Sequence, residues 1–438
     1  MSDRLSHPIF EKSMKKTHTI LIPSMLEFHM QLFESVLIQD GYKVEVLKNY
    51  GPSVVEEGLK HVHNDTCVPA LLVIGQFIDA LKHRDDVDKV VLIITQTGGG
   101  CRASNYLPLL RKALKKAGFG FVPVLSLNGS SLEKESSFKL SLSLIRKLVA
   151  AIIYGDELMY LYNKTRSYEK NKGDAHNLAK SWFENLSNQF EKKKGLSFKD
   201  IKKNLYKIAE SFDKLELDLS EEKPKVGIVG EIYVKYSSLG NNHLEEFLVS
   251  QGAEVNVPGL LGFVFYYLHN MVFDYKFYKI GKLKSKICSF LIKFMEKYER
   301  VMIDAVSKTK FEPMQKFSHT LTLSEGFLSH ATKMGEGWLL TAEMIELVQT
   351  GYENIVCTQP FGCLPNHICG KGVMKKIKEV YPDANIVAID YDPSATKVNQ
   401  ENRIKLMLEI ARENIEKRKN QEKEEKLAKK QAATTISE

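Results

Sequence analysis

Residues 89–106 read KVVLIITQTGGGCRASNY. The opening part, Lys89 to Thr95, is almost continuously apolar and β-branched, as a strand of a parallel sheet must be when helices cover both of its faces. Three glycines and a cysteine follow, and Tyr106 to Ala117 then carries apolar residues at helical spacing. A strand, a glycine-rich loop and a helix in that order are one building step of an α/β fold. Working outward from this step, THTILIP at 17–23 and YKVEVL at 42–47 read as strands flanking a helical pattern from Met25 to Gln39. FVPVLS at 121–126 closes the region as a further strand.

From about Ser130 to Glu222 the strand signals stop. Long helical patterns rich in Lys and Glu replace them, including Leu144 to Leu161 and Ala175 to Phe190, with the polar stretch Asn163 to Asp174 as an exposed loop. A second α/β region starts at KVGIVGE, Lys225 to Glu231. It continues through a helix near Asn242 to Ser250, a strand at Ala253 to Val257, a helical stretch at Thr341 to Gln349, a strand at Asn354 to Thr358, a helix from Asn366 to Val380 and a strand at Ala384 to Ile389. The expected fold class is therefore α/β, with two Rossmann-like parallel-sheet domains joined by a helical segment. The bounds are 1–130 for the first domain, 131–222 for the helical segment, 223–405 for the second domain and 406–438 for a charged helical tail.

Composition narrows the function classes. At 438 residues the chain is too long for one ordinary core, and 43% hydrophobic with 26% charged residues excludes a disordered or collagenous chain. The net charge of +8 is spread over the whole length, so it gives no argument for a nucleic-acid partner. The N-terminal residues lack the pattern of a secretory signal. The most apolar later stretch, Leu260 to Phe273, contains His269 and Asn270 and falls short of the roughly 30 Å of a bilayer core. The expectation is a cytoplasmic protein with no membrane partner, whose six cysteines are reduced and so buried, metal-binding or catalytic.

Three cysteines lie where ligands gather in open parallel sheets, beside strand ends and helix starts. Cys101 lies in the loop after the strand ending near Thr95, Cys363 in TQPFGCLPNH after the strand through Thr358, and Cys67 in HNDTCVPALL before a helix whose first turn contains Pro69. Glycines 98, 99, 100 and 362 let backbone approach something bulky beside two of these thiols. Thiolates or an anionic cluster would be favoured by helix-terminal N–H groups, and an iron–sulfur cluster is bulky, anionic and in need of N–H donors. Each loop taken alone also fits a plain turn with a small buried thiol, and no close-spaced C-x-x-C array is present. The case rests on three thiols in one topological position. Cys288, Cys357 and Cys369 read as core residues, although Cys357 and Cys369 flank Cys363 by six residues on either side, which leaves a second cluster open.

Other motifs are weaker. The chain has no G-x-x-x-x-G-K-[ST] loop, and VGIVGE lacks the G-x-G-x-x-G spacing, which argues against ATP hydrolysis or nicotinamide chemistry. His61, His63 and His367 read as surface or capping residues, with metal ligation as the alternative; Asp390 and Asp392 read as a strand end and a helix cap, and Glu336 in MGEGW as either an acid or base or part of a glycine-flanked turn.

The segments HNDTCVPALLVIGQFIDAL, TQTGGGCRASNYLPLLRKAL, VGEIYVKYSSLGNNHLEEFL, KMGEGWLLTAEMIEL and NIVCTQPFGCLPNHICGKGVMKKIKEVYPDANIVAIDYDPS resemble the 2-hydroxyacyl-CoA dehydratase superfamily, above all the dehydratase-like region of acyl-CoA dehydratase activase proteins. The similarity runs from about residue 17 to 405 and leaves out the helical middle and the tail. It implies a 4Fe-4S cluster held by Cys67, Cys101 and Cys363, with catalytic residues unassigned. It also implies a separate ATP-dependent activator that delivers one low-potential electron, a related dehydratase subunit as partner, and radical dehydration of a 2-hydroxyacyl-CoA, that is, an iron–sulfur lyase. Two alternatives stand beside this: an ATP-dependent reductase of the related double-cubane-cluster type, and a non-catalytic cluster-binding scaffold.

Overall fold

The computed structural model describes residues 7–63, 65–96, 100–127, 138 and 141–436. The first half runs β1 (Thr19–Ile22), α1 (Glu27–Gln39), β2 (Lys43–Val46), α2 (Val68–Lys82), β3 (Val90–Thr95), α3 (Tyr106–Lys116) and β4 (Val124–Leu127), with a helix Pro52–His61 between β2 and α2. Three helices then follow without a named strand: α4 (Leu142–Thr165), α5 (Asp174–Glu191) and α6 (Phe198–Asp213). The second half contains β5 (Lys225–Gly230), α7 (Leu244–Ser250), β6 (Glu254–Asn256), α8 (Leu260–Tyr278), α9 (Lys282–Val306), α10 (Gly337–Gln349), β7 (Asn354–Pro360), α11 (Leu364–Cys369), α12 (Met374–Val380), β8 (Asn385–Tyr391) and α13 (Lys397–Ile436).

The strands form two four-stranded, all-parallel sheets ordered β2-β1-β3-β4 and β6-β5-β7-β8. Both halves thus follow the same second-first-third-fourth order. In such a sheet the chain moves outward from the first strand in one direction and then in the other, which opens a crevice at the carboxyl ends of the first and third strands. The burial of β3 matches its sequence: Val90 to Ile94 are buried and Thr95, at the loop end, is exposed.

The helical layer is tied to both sheets by buried polar clamps. Asp156 of α4 accepts hydrogen bonds from the Leu260 and Leu261 N–H groups at the start of α8, both at 2.7 Å, and contacts His29 Nε2 of α1 at 2.7 Å. A Cβ on Gly259 would lie 2.6 Å from that carboxylate, so only glycine fits there. Lys164, at the other end of α4, reaches Glu254 Oε1 of β6 at 3.1 Å. Helices α4, α6, α8 and α9 pack into one apolar core through Leu158, Phe212, Phe265 and Met302, and a second core joins the two sheets through Leu92, Ile228 and Val356. The helix expected from Asn366 to Val380 is broken: α11 stops at Cys369, and Gly370 turns the chain before α12. A Cβ on Gly370 would sit 2.6 Å from Asn366 Oδ1 and 3.1 Å from Cys357 Sγ, so the break follows from tight packing over β7.

Candidate metal centre

Cys101 follows β3, the third strand of its half, and Cys363 follows β7, the third strand of the other. Cys67 immediately precedes α2, which leads into β3, and Glu336 immediately precedes α10, which leads into β7. Equivalent positions in the two halves therefore carry a thiol opposite a thiol, and a thiol opposite a carboxyl.

The loops that carry these residues meet. The Val68 N–H donates to the Phe361 carbonyl at 3.1 Å, which fastens the Cys67 turn to the Cys363 loop. Gly362 has φ +73°, and a Cβ there would stand 3.1 Å from Cys67 Cα. A Cβ on Gly335, at φ +58°, would lie 3.0 Å from Pro365 and 3.9 Å from Cys101 Sγ. These two glycines allow three chain segments to converge where side chains would hold them apart. On the far side, Gly75 of α2 passes so near the helix Pro52–His61 that a Cβ would fall 2.1 Å from the Val54 carbonyl. That contact fixes the helix whose start carries Cys67. Glycines 98 and 99 lie outside the described residues.

Cys67 and Cys363 are buried and Cys101 is half-buried. The N–H groups of Ala70, Ala103 and Asn366 face the three sulfurs and favour their thiolates, although none makes a close capping bond. Burial outweighs this help. It raises the Cys67 thiol, pushes Cys101 up to about 11 and pushes Cys363 higher still. Cys67 lies near enough to add its charge to both of the others. Tyr106, itself held neutral by burial, places its hydroxyl 3.6 Å from Cys67 Sγ.

Two carboxyls share the pocket. Glu231 follows β5, accepts from the Val234 N–H at 3.0 Å and is pushed up to about 8, first by burial and then by the charge of Glu336. Glu336 accepts from the Ile232 N–H at 3.0 Å and is raised by burial. Both act on Cys101 and Cys363. Glycines flank Glu336 for a steric reason: Gly337 has φ +45°, and a Cβ there would meet the Thr332 carbonyl at 2.2 Å. Glu231 and Tyr106 are not among the residues singled out from the sequence, and MGEGW leaves Glu336 open between an acid or base and a turn residue. The available signal was position, because Glu231 directly follows a buried strand and Glu336 stands before a helix.

Two of the remaining sulfurs lie elsewhere: Cys357 Sγ donates to Asn366 Oδ1 at 3.5 Å within the core beneath α12, and Cys288 is buried on α9. Cys369 stands nearer, since its thiol is pushed up to about 11 by burial and by the charge of Glu336, while its carbonyl accepts from the Thr341 hydroxyl. His61 contacts the Glu57 carbonyl, His63 faces Asp65 at the surface and His367 is exposed, so none of the three joins the thiols. Among the described residues no group of three or more His, Cys, Asp or Glu side chains closes round a single metal ion. Around the thiols Met334, Phe361 and Leu364 stand exposed as an apolar rim. A cavity of about 590 Å³ lies between the helical layer and the second sheet, lined by Asp156, Glu299, Glu343 and Glu346 among others, and none of the three thiols lines it. No described helix is long and apolar enough to cross a membrane.

Comparison with models of known protein families finds none that matches this chain, and comparison with curated proteins finds no match either.

Proposed function

We propose that the chain is an iron–sulfur protein of the 2-hydroxyacyl-CoA dehydratase type, with Cys67, Cys101 and Cys363 as the ligands of one 4Fe-4S cluster. The observation that carries this reading is the meeting of three sequence-remote thiols from two sheets, at equivalent loop positions, with glycine wherever a side chain would obstruct them. The donor set fits the group. Each thiol of such a cluster bonds a different iron, so the three sulfurs need not close on one point. When bound, the cluster supplies a low-potential one-electron centre with one iron left open.

This chain's own residues would then act as follows. The three thiols give up protons when positive metal charge arrives, since burial keeps them protonated without it. The Ala70, Ala103 and Asn366 N–H groups and the Tyr106 hydroxyl orient and stabilise the sulfurs. Glu231, pushed up to about 8 by burial and by the charge of Glu336, would hold a proton beside the thiols, and burial raises Glu336 next to it. The apolar rim of Met334, Phe361 and Leu364 suits a transient protein contact, here with an ATP-dependent activator or a related dehydratase subunit. The substrate on this reading is an acyl-CoA.

The test is anaerobic reconstitution followed by iron and sulfide counting and electron paramagnetic resonance of the reduced protein. About four irons per chain are expected, and Cys67→Ser, Cys101→Ser and Cys363→Ser should each lose the cluster while circular dichroism is retained. A colourless, iron-free protein would sink the reading. About eight irons would favour the double-cubane type, and an intact cluster without turnover, whatever activator is supplied, would favour a scaffold.

A further inference from the structure

Helices α8 and α9 form a hairpin whose turn, near Lys279 to Gly281, lies at the surface. The inner side of α9 is ordinary: Ile292, Met295 and Met302 are buried against the helical core, and Cys288 is buried on the same side. Its outer side is not. Leu283, Ile287, Phe290 and Phe294, spaced by four, three and four residues, form a second apolar stripe on the face opposite the buried one. Leu283 is 73% and Phe290 69% exposed, and Phe277, Tyr278 and Ile280 extend the stripe round the turn. Exposed apolar side chains scattered singly need no explanation, but a contiguous patch does.

The charge along the stripe is positive, bounded by Asp274, which pairs with Lys333, and by Glu296 past its far end. Between Tyr275 and Met295 the chain has Lys276, Lys279, Lys282, Lys284, Lys286 and Lys293 and neither a carboxylate nor an arginine. Among the described residues none of these six lysines makes an ion pair. By helical spacing Lys282, Lys286 and Lys293 run along one flank of the stripe.

We infer that this hairpin face is a docking surface for an anionic lipid bilayer, with the phenylalanine and aliphatic side chains entering the acyl boundary and the lysines reaching lipid phosphates. An apolar face edged by lysine is the composition of helices that lie in the membrane interface. Protein interfaces instead deplete lysine and favour arginine. A twofold contact between copies of this chain would set one lysine row against its equal, which opposes self-association. The contact lies on the membrane and crosses nothing, in keeping with the lack of a spanning helix among the described residues. It departs from the sequence expectation of no membrane partner, and it stands apart from the thiol site.

The experiment is flotation of the full chain with vesicles of phosphatidylcholine alone and of phosphatidylcholine with phosphatidylglycerol, at low and high salt. Binding is expected to the anionic vesicles, to weaken with salt, and to fall about fivefold for each of Lys282→Ala and Lys286→Ala. Leu283→Asp with Phe290→Asp should abolish it while leaving the circular dichroism spectrum unchanged, because both side chains face solvent. No flotation with anionic vesicles, equal binding to both vesicle types, or undiminished binding by the aspartate variant would overturn the inference. So would a dimer in solution that the aspartate variant dissociates, or a protein partner that needs these residues while the vesicles stay unbound.

Discussion

Buried charge is handled in opposite ways at two places in this molecule. Where α4 meets β6, burial alone would raise the pKa of Glu254, but Lys164 at 3.1 Å and the Tyr352 hydroxyl more than offset it, and the carboxylate is held below its usual range. Tyr168 donates to the other oxygen at 2.9 Å. In the thiol pocket, Glu231, Glu336, Cys67 and Cys363 are buried beside the half-buried Cys101, and all are pushed upward. A satisfied network of the first kind specifies how elements assemble. A pocket of the second kind works against folding and persists where the arrangement serves something other than stability. The same upward push falls on Glu157 of α4, so the contrast is between these two places and not between scaffold and site as a whole.

The sharpest way to break that contrast is to remove the cation from the satisfied network. Lys164→Met leaves Glu254 buried without its partner and should lower the unfolding free energy by about 3–5 kcal/mol in a denaturant titration. The sign with pH follows from the lowered Glu254 value: the pair's contribution is present above the unfolded carboxylate range near 4.5 and fades as the pH falls through the lower folded value. Replacing both residues, Lys164→Met with Glu254→Leu, should recover much of the loss. A single-variant loss under about 1 kcal/mol would mean that the network contributes little, and the contrast would fail.

The scaffold was far more legible in the sequence than this distinction. Runs such as KVVLIIT and KVGIVGE announce parallel strands because both faces of β3 and β5 are covered, and every expected strand is present within a few residues of its predicted position. The three thiols were singled out because loop position is itself a sequence property. Glu231 and Tyr106 were not singled out as site residues, since a lone Glu after a strand or a lone Tyr at a helix start looks like many others. Only the convergence of β5, α3 and α10 gives these residues a role. The exposed stripe of α9 is not singled out either, because the helix's buried face gives it an ordinary amphipathic pattern that hides a second apolar side. The expected long helix breaks at Gly370, where a Cβ would stand 3.1 Å from Cys357 Sγ.

Glu346 sharpens the comparison with a case in between. It lies in the cavity away from the thiols, pushed up to about 7 by burial, with Glu343 and Glu299 adding to the rise and the Thr320 hydroxyl opposing it. A carboxyl with a raised folded pKa binds its proton more tightly folded than unfolded. Its contribution to stability is therefore full below the unfolded value of 4.5 and is lost as the pH rises through about 7. Glu346→Gln should remove this slope and make the protein more stable than the parent at pH 8, by up to about 3 kcal/mol, in thermal or denaturant unfolding across that range. An unchanged pH profile would show that the carboxyl is already neutralised by something else.

The smallest effect discriminates most finely, because it compares two sulfurs six residues apart. Cys357 is fully buried, its thiol pushed up to about 12 by burial, with its hydrogen pointing at Asn366. It has the company of a core residue: Val373 and Ile377 around it and no neighbouring thiol among the groups that perturb it. Cys357→Ala therefore removes one sulfur from a packed core and one weak hydrogen bond, for about 1 kcal/mol. The reconstituted variant should retain its full iron complement. Cys363→Ala shortens a buried thiol in much the same way, so its effect on the metal-free protein should be similar in size, yet it should abolish iron binding. Equal stability losses with opposite iron contents would show that proximity in sequence is irrelevant and that the converging loops alone decide which sulfur serves the site. Loss of iron from both variants would move Cys357 out of the core group and reopen a second set of ligands beneath β7.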